Sequence, residues 1–416
     1  MTVHRRSWIA GTIVSILVGV TTATMAQNRP APAAPDALLA PAPRLVWERI
    51  VDLPATRTPA DDEHRPWNLR ALAARGDGGA LIVAGGTSGE AARLIGVRGD
   101  GADAFSMPLP APAGVGKKPV LRSAALNGEG RDRIWVFLTW RPAGEPDVGP
   151  VATQLIGIDG PAYRTVVRQL PRFVHRGLDP RGPLEVDERE ATVLRRLPDG
   201  SLLAGGTAYF GPPAWWFARF TVDGTLFHER TTRLYPTSVE DARGNEDGGY
   251  SLLLVEAPPT LLRYGADGKS KTRRSFEGFR SDGDCAVLTG ANTHLRYDPE
   301  YERKQPDHGD TLARGRLVLV DADGGVARRI GMGANECAAL RRTGDGIVLV
   351  ATPAGAGDTP PMIVAGFTPT GEQRWRLDLP AGVARVEPLA DGGVLVARPG
   401  VVDGKPVVKL ARYRAP

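Results

Sequence analysis

The 416-residue chain has few of the residues that mark a defined chemistry. It contains 2 cysteines and 6 histidines, and aromatic residues make up 6% of it. The sequence lacks the HExxH, CxxC and EF-hand patterns that indicate zinc proteases, redox or zinc sites and calcium loops. The segment GVGKK at 114–118 also lacks the first Gly and the final Ser or Thr of a phosphate loop. We therefore predict no cofactor and no metal.

Two kinds of long segment are missing as well. No long run has helical periodicity, and no stretch after residue 26 approaches the ~18 apolar residues of a membrane span. By contrast, the chain has 51 glycines and 36 prolines, which favours many short strands joined by turns. The net charge of +5 comes from basic residues spread along the chain, so we predict no nucleic-acid partner.

The N-terminus predicts export. Arg5 and Arg6 precede the apolar stretch 8–20, and small residues follow up to Ala26, as in a secretory signal peptide. Both a Sec signal and a twin-arginine signal fit this segment. We predict a signal peptide at 1–26, a Pro/Ala-rich linker at 27–43 and a folded domain at 44–416. The mature protein is then periplasmic or secreted, without a membrane span, and we expect a monomer.

A strand–turn–strand pattern recurs through the folded region. Asp-Gly or a related turn lies near residues 77, 132, 199, 247, 291, 345 and 391, each followed by an apolar strand. Asp-Gly supplies the positive φ angles of a tight hairpin. A second turn and two further strands complete each unit, at a spacing of roughly 45–55 residues. Seven such units predict an all-β, seven-bladed β-propeller of four-stranded antiparallel blades.

The last unit lacks a fourth strand, whereas residues 44–54 form a strand without earlier partners. RLVWERIVDLP at 44–54 matches EQRWRLDLP at 372–380, with Trp47 opposite Trp375. We predict that the N-terminal strand closes the last blade, which removes the exposed sheet edges.

Three short segments are nearly repeated. EATVLRR (190–196), DCAVL (284–288) and ECAALRR (336–342) fall on the innermost strands of blades three, five and six. Cys285 and Cys337 thus occupy equivalent positions on neighbouring strands. In an exported protein they are candidates for a disulfide. The alternative is two buried thiols too far apart to bond.

The repeat resembles that of bacterial exported β-propellers of the quinoprotein-like or WD40-like superfamily. The resemblance rests on the turn-plus-strand form DGGxLVAG and covers nearly all of 45–416. TGEQRW at 370–375 is similar to the TGxxxW core of the quinoprotein repeat. The resemblance implies a binding propeller and names no substrate.

The same alignment brings three acids together. Glu190, Asp284 and Glu336 occupy one position at the channel mouth, where they are candidates to bind a polar ligand or a cation. The alternative is that each pairs with an arginine. Asn68, Ser123, Ser238 and Gly382 align to this position in the other blades. The insertion 298–314 is a further polar loop.

Three tryptophans are candidate contacts for a partner. If exposed, Trp140, Trp215 and Trp216 would suit a carbohydrate or a protein, and the alternative is packing between blades. We predict a non-enzymatic binding or scaffold module for a protein or polysaccharide of the bacterial envelope. The alternative function is a propeller enzyme, a sugar hydrolase or lyase or a quinone-dependent dehydrogenase, with its acids at the channel mouth.

Overall fold

The computed structural model describes residues 40–416 with several gaps. The gaps are 54–68, 86–91, 114, 116–118, 129–132, 143–151, 161–163, 171–172, 176–183, 187, 210–212, 232–237, 256–258, 277–284, 303–310, 344–345, 356–359 and 383. The predicted signal peptide and most of the predicted linker lie outside the described residues.

The described residues form seven four-stranded antiparallel sheets and one two-stranded ribbon. Blade one contains β2 (Leu69–Ala74), β3 (Ala80–Ala84), β4 (Arg93–Val97) and β5 (Asp103–Pro108). Blade two contains β6 (Pro119–Asn127), β7 (Arg133–Pro142), β8 (Ala152–Asp159) and β9 (Arg164–Gln169). The ribbon of β10 (Phe173–His175) and β11 (Leu184–Val186) follows. Blade three contains β12 (Glu188–Arg196), β13 (Leu202–Tyr209), β14 (Pro213–Phe220) and β15 (Leu226–Thr231).

The remaining blades have the same design. Blade four contains β16 (Ser238–Gly244), β17 (Tyr250–Val255), β18 (Thr260–Tyr264) and β19 (Ser270–Ser275). Blade five contains β20 (Ala286–Leu288), β21 (His294–Glu302), β22 (Thr311–Val320) and β23 (Val326–Gly331). Blade six contains β24 (Asn335–Thr343), β25 (Gly346–Pro353), β26 (Met362–Phe367) and β27 (Gln373–Leu379). Blade seven contains β28 (Arg385–Pro388), β29 (Val394–Val402), β30 (Lys405–Arg414) and β1 (Arg44–Asp52).

The blades form a closed ring. The first strand of each blade contacts the first strand of the next, and β28 of blade seven returns to β2 of blade one. These seven strands line the central channel. The prediction of a seven-bladed propeller is confirmed, and no helix long and apolar enough to cross a bilayer occurs in the described part of the chain.

The Asp-Gly turns have the geometry that the sequence predicts. Gly78, Gly200, Gly248 and Gly392 have φ values of 79°, 82°, 75° and 78°. The preceding aspartate accepts a hydrogen bond from the backbone N–H two residues later in each turn, at 2.9–3.0 Å. This local bond fixes the turn and thereby the strand register.

Closure of the ring follows the prediction. Strand β1 pairs antiparallel with β30 from Arg44 opposite Arg414 to Asp52 opposite Val407. The Trp47 indole donates to the Gly99 carbonyl of blade one at 2.9 Å. The Trp375 indole also donates to the next blade, to the Gly392 carbonyl at 3.1 Å, but in the Asp-Gly turn rather than in the turn before the fourth strand.

Arginine side chains also join neighbouring blades, through the turns between third and fourth strands. Five guanidinium groups each donate to a backbone carbonyl in a turn of the next blade. The pairs are Arg133 to Val222, Arg219 to Ala266, Arg274 to Ala322, Arg328 to Thr370 and Arg412 to Gly99. Together with the tryptophan bonds, these contacts fix the angle between successive blades.

The core lies between blades rather than at the centre of the ring. Seven clusters of buried apolar residues fill the seven gaps between adjacent blades. Each sheet is therefore covered on both faces, which explains why β3 (ALIVA) and β26 (MIVAGF) are buried along their whole length.

The same packing corrects the prediction for the three tryptophans. Trp140, Trp215 and Trp216 are only 1%, 6% and 0% exposed. Trp140 packs between blades one and two, Trp216 between blades two and three, and Trp215 between blades three and four. Burial in the gaps leaves none of the three indoles for a partner, so the packing alternative holds.

The disulfide between Cys285 and Cys337 is confirmed. Their Cα atoms are 6.2 Å apart and the bond closes a sequence separation of 52 residues. It links blade five to blade six where their first strands begin.

We predict that removing strand β1 opens the ring. A chain of residues 53–416 leaves the β30 edge unpaired, and such an edge pairs with other chains. Light scattering after gel filtration should find 53–416 associated or aggregated. Residues 44–416, which keep β1, are the control and should run as a monomer; a monomeric 53–416 with unchanged melting would contradict the role of β1.

We predict that the double variant Cys285→Ser, Cys337→Ser unfolds more easily. Loss of a cross-link over this separation lowers the free energy of unfolding by about 2–4 kcal/mol. Denaturant titration measures the change, and a reducing agent should shift the parent chain but not the variant. Equal stability of parent and variant would show that the blade packing alone fixes this junction.

Candidate functional site

The two faces of the ring differ. We call the face where the first strands begin the upper face, and the opposite one the lower face. Because successive strands alternate in direction, the second and third strands of each blade connect at the upper face. The Asp-Gly turns and the turns between third and fourth strands lie at the lower face. The sequence predicts the three acids at the channel mouth of the upper face.

The structure does not bring the three acids into one described cluster. The Arg122 Nε of blade two donates to Glu190 Oε1 at 3.0 Å, and the Glu190 side chain is 17% exposed. Glu336 is exposed, and Asp284 lies outside the described residues. Glu190 therefore pairs with an arginine, as the ion-pair alternative predicts.

The strand register corrects one residue of the predicted alignment. The first strands of blades two and three have bulges at Arg122 and Thr192. Val120 and Glu190 each lie two residues before the bulge of their strand. Val120, not Ser123, therefore occupies in blade two the position that Glu190 occupies in blade three. Each bulge inserts one residue into its strand, and here it marks the same position in both blades.

The central channel is itself concave. It encloses a cavity of about 290 Å³, lined by the first strands and the turns that follow them. Blades one and two contribute small apolar residues, including 71–74 and 124–125. Charged side chains of the other blades face them. These are Arg195, Glu240, Asp241, Arg341, Arg342, Arg385 and Glu387.

Asp241 of blade four is central to this charged side. Its carboxylate accepts a hydrogen bond from the Leu288 N–H of blade five at 2.9 Å. Arg195 of blade three and Arg342 of blade six lie 3.9 and 4.0 Å from its oxygens. Asp241 thereby links four blades from inside the channel. Its side chain is only 4% exposed, and such a buried charge requires these partners.

A second ion pair crosses the channel beside it. Arg341 Nη1 of blade six lies 3.8 Å from Glu240 Oε1 of blade four. Sequence reasoning singled out the acids before the strands and missed these arginines as a group. The signal was present, because EATVLRR and ECAALRR share a final LRR, and three of its four arginines line the channel.

The described parts of the insertion, 298–302 and 311–314, lie in strands β21 and β22. Asp298 and Glu300 lie 3.6 and 3.5 Å from Arg316, while Asp307, His308 and Asp310 lie outside the described residues. Within the described part of the chain, no three His, Cys, Asp or Glu side chains are grouped to hold a metal ion.

Two histidines are held neutral between blades three, four and five. Burial lowers the pKa of His294 to about 3, helped by Arg296 and Arg274. This imidazole is 0% exposed, and neither ring nitrogen has a hydrogen-bond partner. Burial also lowers the pKa of His228 to about 4, and its Nε2 lies 2.8 Å from the Tyr250 hydroxyl. Both belong to the blade packing rather than to the channel.

Comparison with known proteins finds likeness of fold only. No protein-family model matches the chain, and no curated protein matches it. The polysaccharide lyase Uly1 has a TM-score of 0.51 to this chain at 10% identity, covering 89% of this chain and 99% of its own. At this identity the likeness shows a propeller fold and does not extend to the activity.

Two further solved structures have lower TM-scores. YCF48 bound to D1 peptide has a TM-score of 0.45 at 12% identity, covering 91% of this chain and 98% of its own. A protein of unknown function from Bacteroides caccae has a TM-score of 0.37 at 14% identity, covering 72% and 93%.

We predict that His294 makes the fold acid-sensitive. Its pKa is lower in the folded chain than the usual value near 6.5, so the unfolded chain binds more protons between about pH 6.5 and pH 3. Stability therefore falls as the pH drops through this range. The parent should lose about 1–2 kcal/mol more than His294→Phe between pH 7 and pH 5, measured by denaturant titration. Parallel pH profiles of parent and variant would contradict this.

Proposed function

We propose that the chain is an exported binding propeller whose upper face takes a protein of the bacterial envelope. The observation that carries the proposal is the uneven height of that face. The β21–β22 hairpin has strands of 9 and 10 residues, and the β29–β30 hairpin has the same lengths. The corresponding strands of blade one have 5 residues each.

The strands that lead to the upper face differ in length. Four extra residues at ~3.3 Å each make a strand roughly 13 Å longer. Strand β7 of blade two, with 10 residues, has similar length. The lower face, by contrast, repeats short turns. Long connections that project from one face of a repeat ring are where partners bind.

The burial of the tryptophans favours a protein over a polysaccharide. Val401, at the tip of β29–β30, is 61% exposed and provides a position on the upper face for a test. The three tryptophans considered for stacking on sugars are buried. We therefore argue for a protein, and polysaccharide binding is the alternative outcome of the test.

Two observations support export. The N-terminal 26 residues have the pattern of a signal peptide. The Cys285–Cys337 disulfide suits an oxidising compartment such as the periplasm. Membership of the bacterial quinoprotein-like or WD40-like propellers is part of the same proposal, and it rests on the repeat pattern of the sequence.

The test compares two valines of similar exposure on opposite faces. Val401 is at the upper face, and Val222, which is 56% exposed, is in a lower-face turn. A partner is first identified by cross-linking the purified chain in envelope extract. We predict that Val401→Glu then weakens binding about tenfold, because a charge is buried without a partner, while Val222→Glu binds within twofold of the parent.

The result can go against the proposal in two ways. Equal effects of the two substitutions would remove the upper face as the binding surface. Binding to envelope polysaccharide, with no protein cross-linked, would replace the protein partner by a sugar. Calorimetry of the parent with both fractions separates these outcomes.

A further inference from the structure

The outer rim of the ring is unevenly charged. Blades two and six have two arginines each on their fourth strands, while on the far side β1 balances two arginines with two acids and β5 has an acid alone. The fourth strands of blades three, four and five form the basic rim, with the side chains of Arg230, Lys271, Arg273, Arg274, Arg328 and Arg329. The acid on these strands, Glu229, is 8% exposed and pairs with Arg189 at 2.7 Å.

Three arginines of the basic rim have no acid partner in the described part of the chain. The Arg230 guanidinium lies over the Tyr264 ring, 5.5 Å from its centre. Arg274 donates to the Ala322 carbonyl, and Arg329 is exposed. Neither an aromatic ring nor a carbonyl neutralises a guanidinium. Each of the three blades therefore contributes one uncompensated positive charge.

The acids near the basic rim lie in the lower-face turns. Two basic side chains pair with such acids, Lys271 with Asp247 and Arg328 with Glu372. Asp323 lies in the turn before β23, whereas Arg329 lies three residues beyond Val326, the start of that strand. At ~3.3 Å per residue this is about 10 Å up the strand, which equals the Debye length at ~0.1 M salt. The charge of Asp323 at Arg329 is therefore largely screened.

The three uncompensated charges form a row along a convex surface. Arg230 and Arg274 each lie three residues after the bulge of their strand, and Arg329 lies two residues after its own. They are thus at nearly the same height on consecutive blades, on the strands farthest from the channel. A flat surface touches only part of such an arc, whereas a flexible chain can follow it from blade to blade.

The middle of this row lacks apolar anchors. Among the described residues of β19 and β23, no large apolar side chain is exposed. Surfaces that bind a bilayer or a folded protein combine their charges with such side chains. At the blade-three end, Phe227 is 53% exposed, and an aromatic ring can lie against the apolar face of a sugar ring. A flexible polyanion made of sugars therefore fits the basic rim better than a membrane or a folded protein.

We infer that the basic rim binds a linear acidic polysaccharide. Its carboxylate or sulfate groups would lie against Arg230, Arg274 and Arg329 as the chain passes along the three blades, with a sugar ring against Phe227. A row of fixed charges attracts a polyanion without reading its sequence, so charge and flexibility define the ligand class. The basic rim is separate from the upper-face hairpins and is independent of the proposed protein partner.

Fluorescence anisotropy on residues 27–416 tests the inference with labelled polygalacturonate, a linear chain of uronates. Labelled dextran is the neutral control, and vesicles that contain phosphatidylglycerol test an anionic membrane. We expect saturable binding of polygalacturonate and none of dextran or vesicles. The affinity should fall about tenfold between ~50 and ~200 mM salt, because binding to about three charges releases counterions from the polyanion.

Matched triple variants locate the binding. The basic-rim variant, Arg230→Gln with Arg274→Gln and Arg329→Gln, should bind polygalacturonate at least tenfold more weakly, because its row of charges is lost. The control removes the same charge from exposed positions of blade seven, by Arg44→Gln, Lys405→Gln and Lys409→Gln. This control should bind within twofold of the parent.

Single charge reversals keep the test sharp if the basic-rim variant melts early. Arg329 has no ion-pair partner among the described residues, so Arg329→Glu leaves no acid unpaired. We expect Arg329→Glu to weaken polygalacturonate about fivefold, while Lys409→Glu on blade seven stays within twofold of the parent.

Three results would overturn the inference. They are no saturable binding of polygalacturonate, equal losses in the basic-rim and blade-seven variants, and binding of vesicles alone, which would make an anionic membrane the ligand. Val401→Glu on the upper face should leave polygalacturonate binding unchanged, and this separates the basic rim from the proposed protein partner.

Discussion

The pairing of β1 with β30 is the constraint on which the rest of the ring depends. It joins residues near opposite ends of the chain and turns seven packed sheets into a closed circle. Every gap between blades then has a sheet on both sides, so each can be filled with apolar side chains. The turn contacts of Trp47 and Arg412 with Gly99 repeat, at this junction, the bonds that join other blades. Closure thus uses the same interactions as the interior of the ring.

The closed ring also determines what its channel can do. The first strands of the blades face one axis, and the size of their side chains decides whether that axis is filled. Alanines in blades one and two leave space, and charged side chains of blades three, four, six and seven border it. Asp241 accepts a bond from Leu288 and lies near arginines of two other blades. The same side chains therefore stabilise the channel wall and set its charge.

The fold was predictable because it depends on local chemistry that is repeated. Asp-Gly turns such as Asp199-Gly200 specify hairpins, and their spacing specifies blades. The repeated inner strands also placed Cys285 beside Cys337. The site was harder to predict, because it depends on which way each side chain points. The buried indole of Trp216 and the bulge at Arg122 both show that residue type and spacing leave orientation undetermined.

The antiparallel register of the closing pair has a mechanical consequence. Arg44 lies opposite Arg414, so tension applied between these two residues acts at one end of the strand pair. The hydrogen bonds of β1 would then be loaded one after another, as in a zipper, rather than all together. The covalent link between blades five and six would remain intact while this happened. The β1–β30 pair of blade seven is thus where the ring would separate first if a tether on the N-terminal side were pulled away from the C-terminal end.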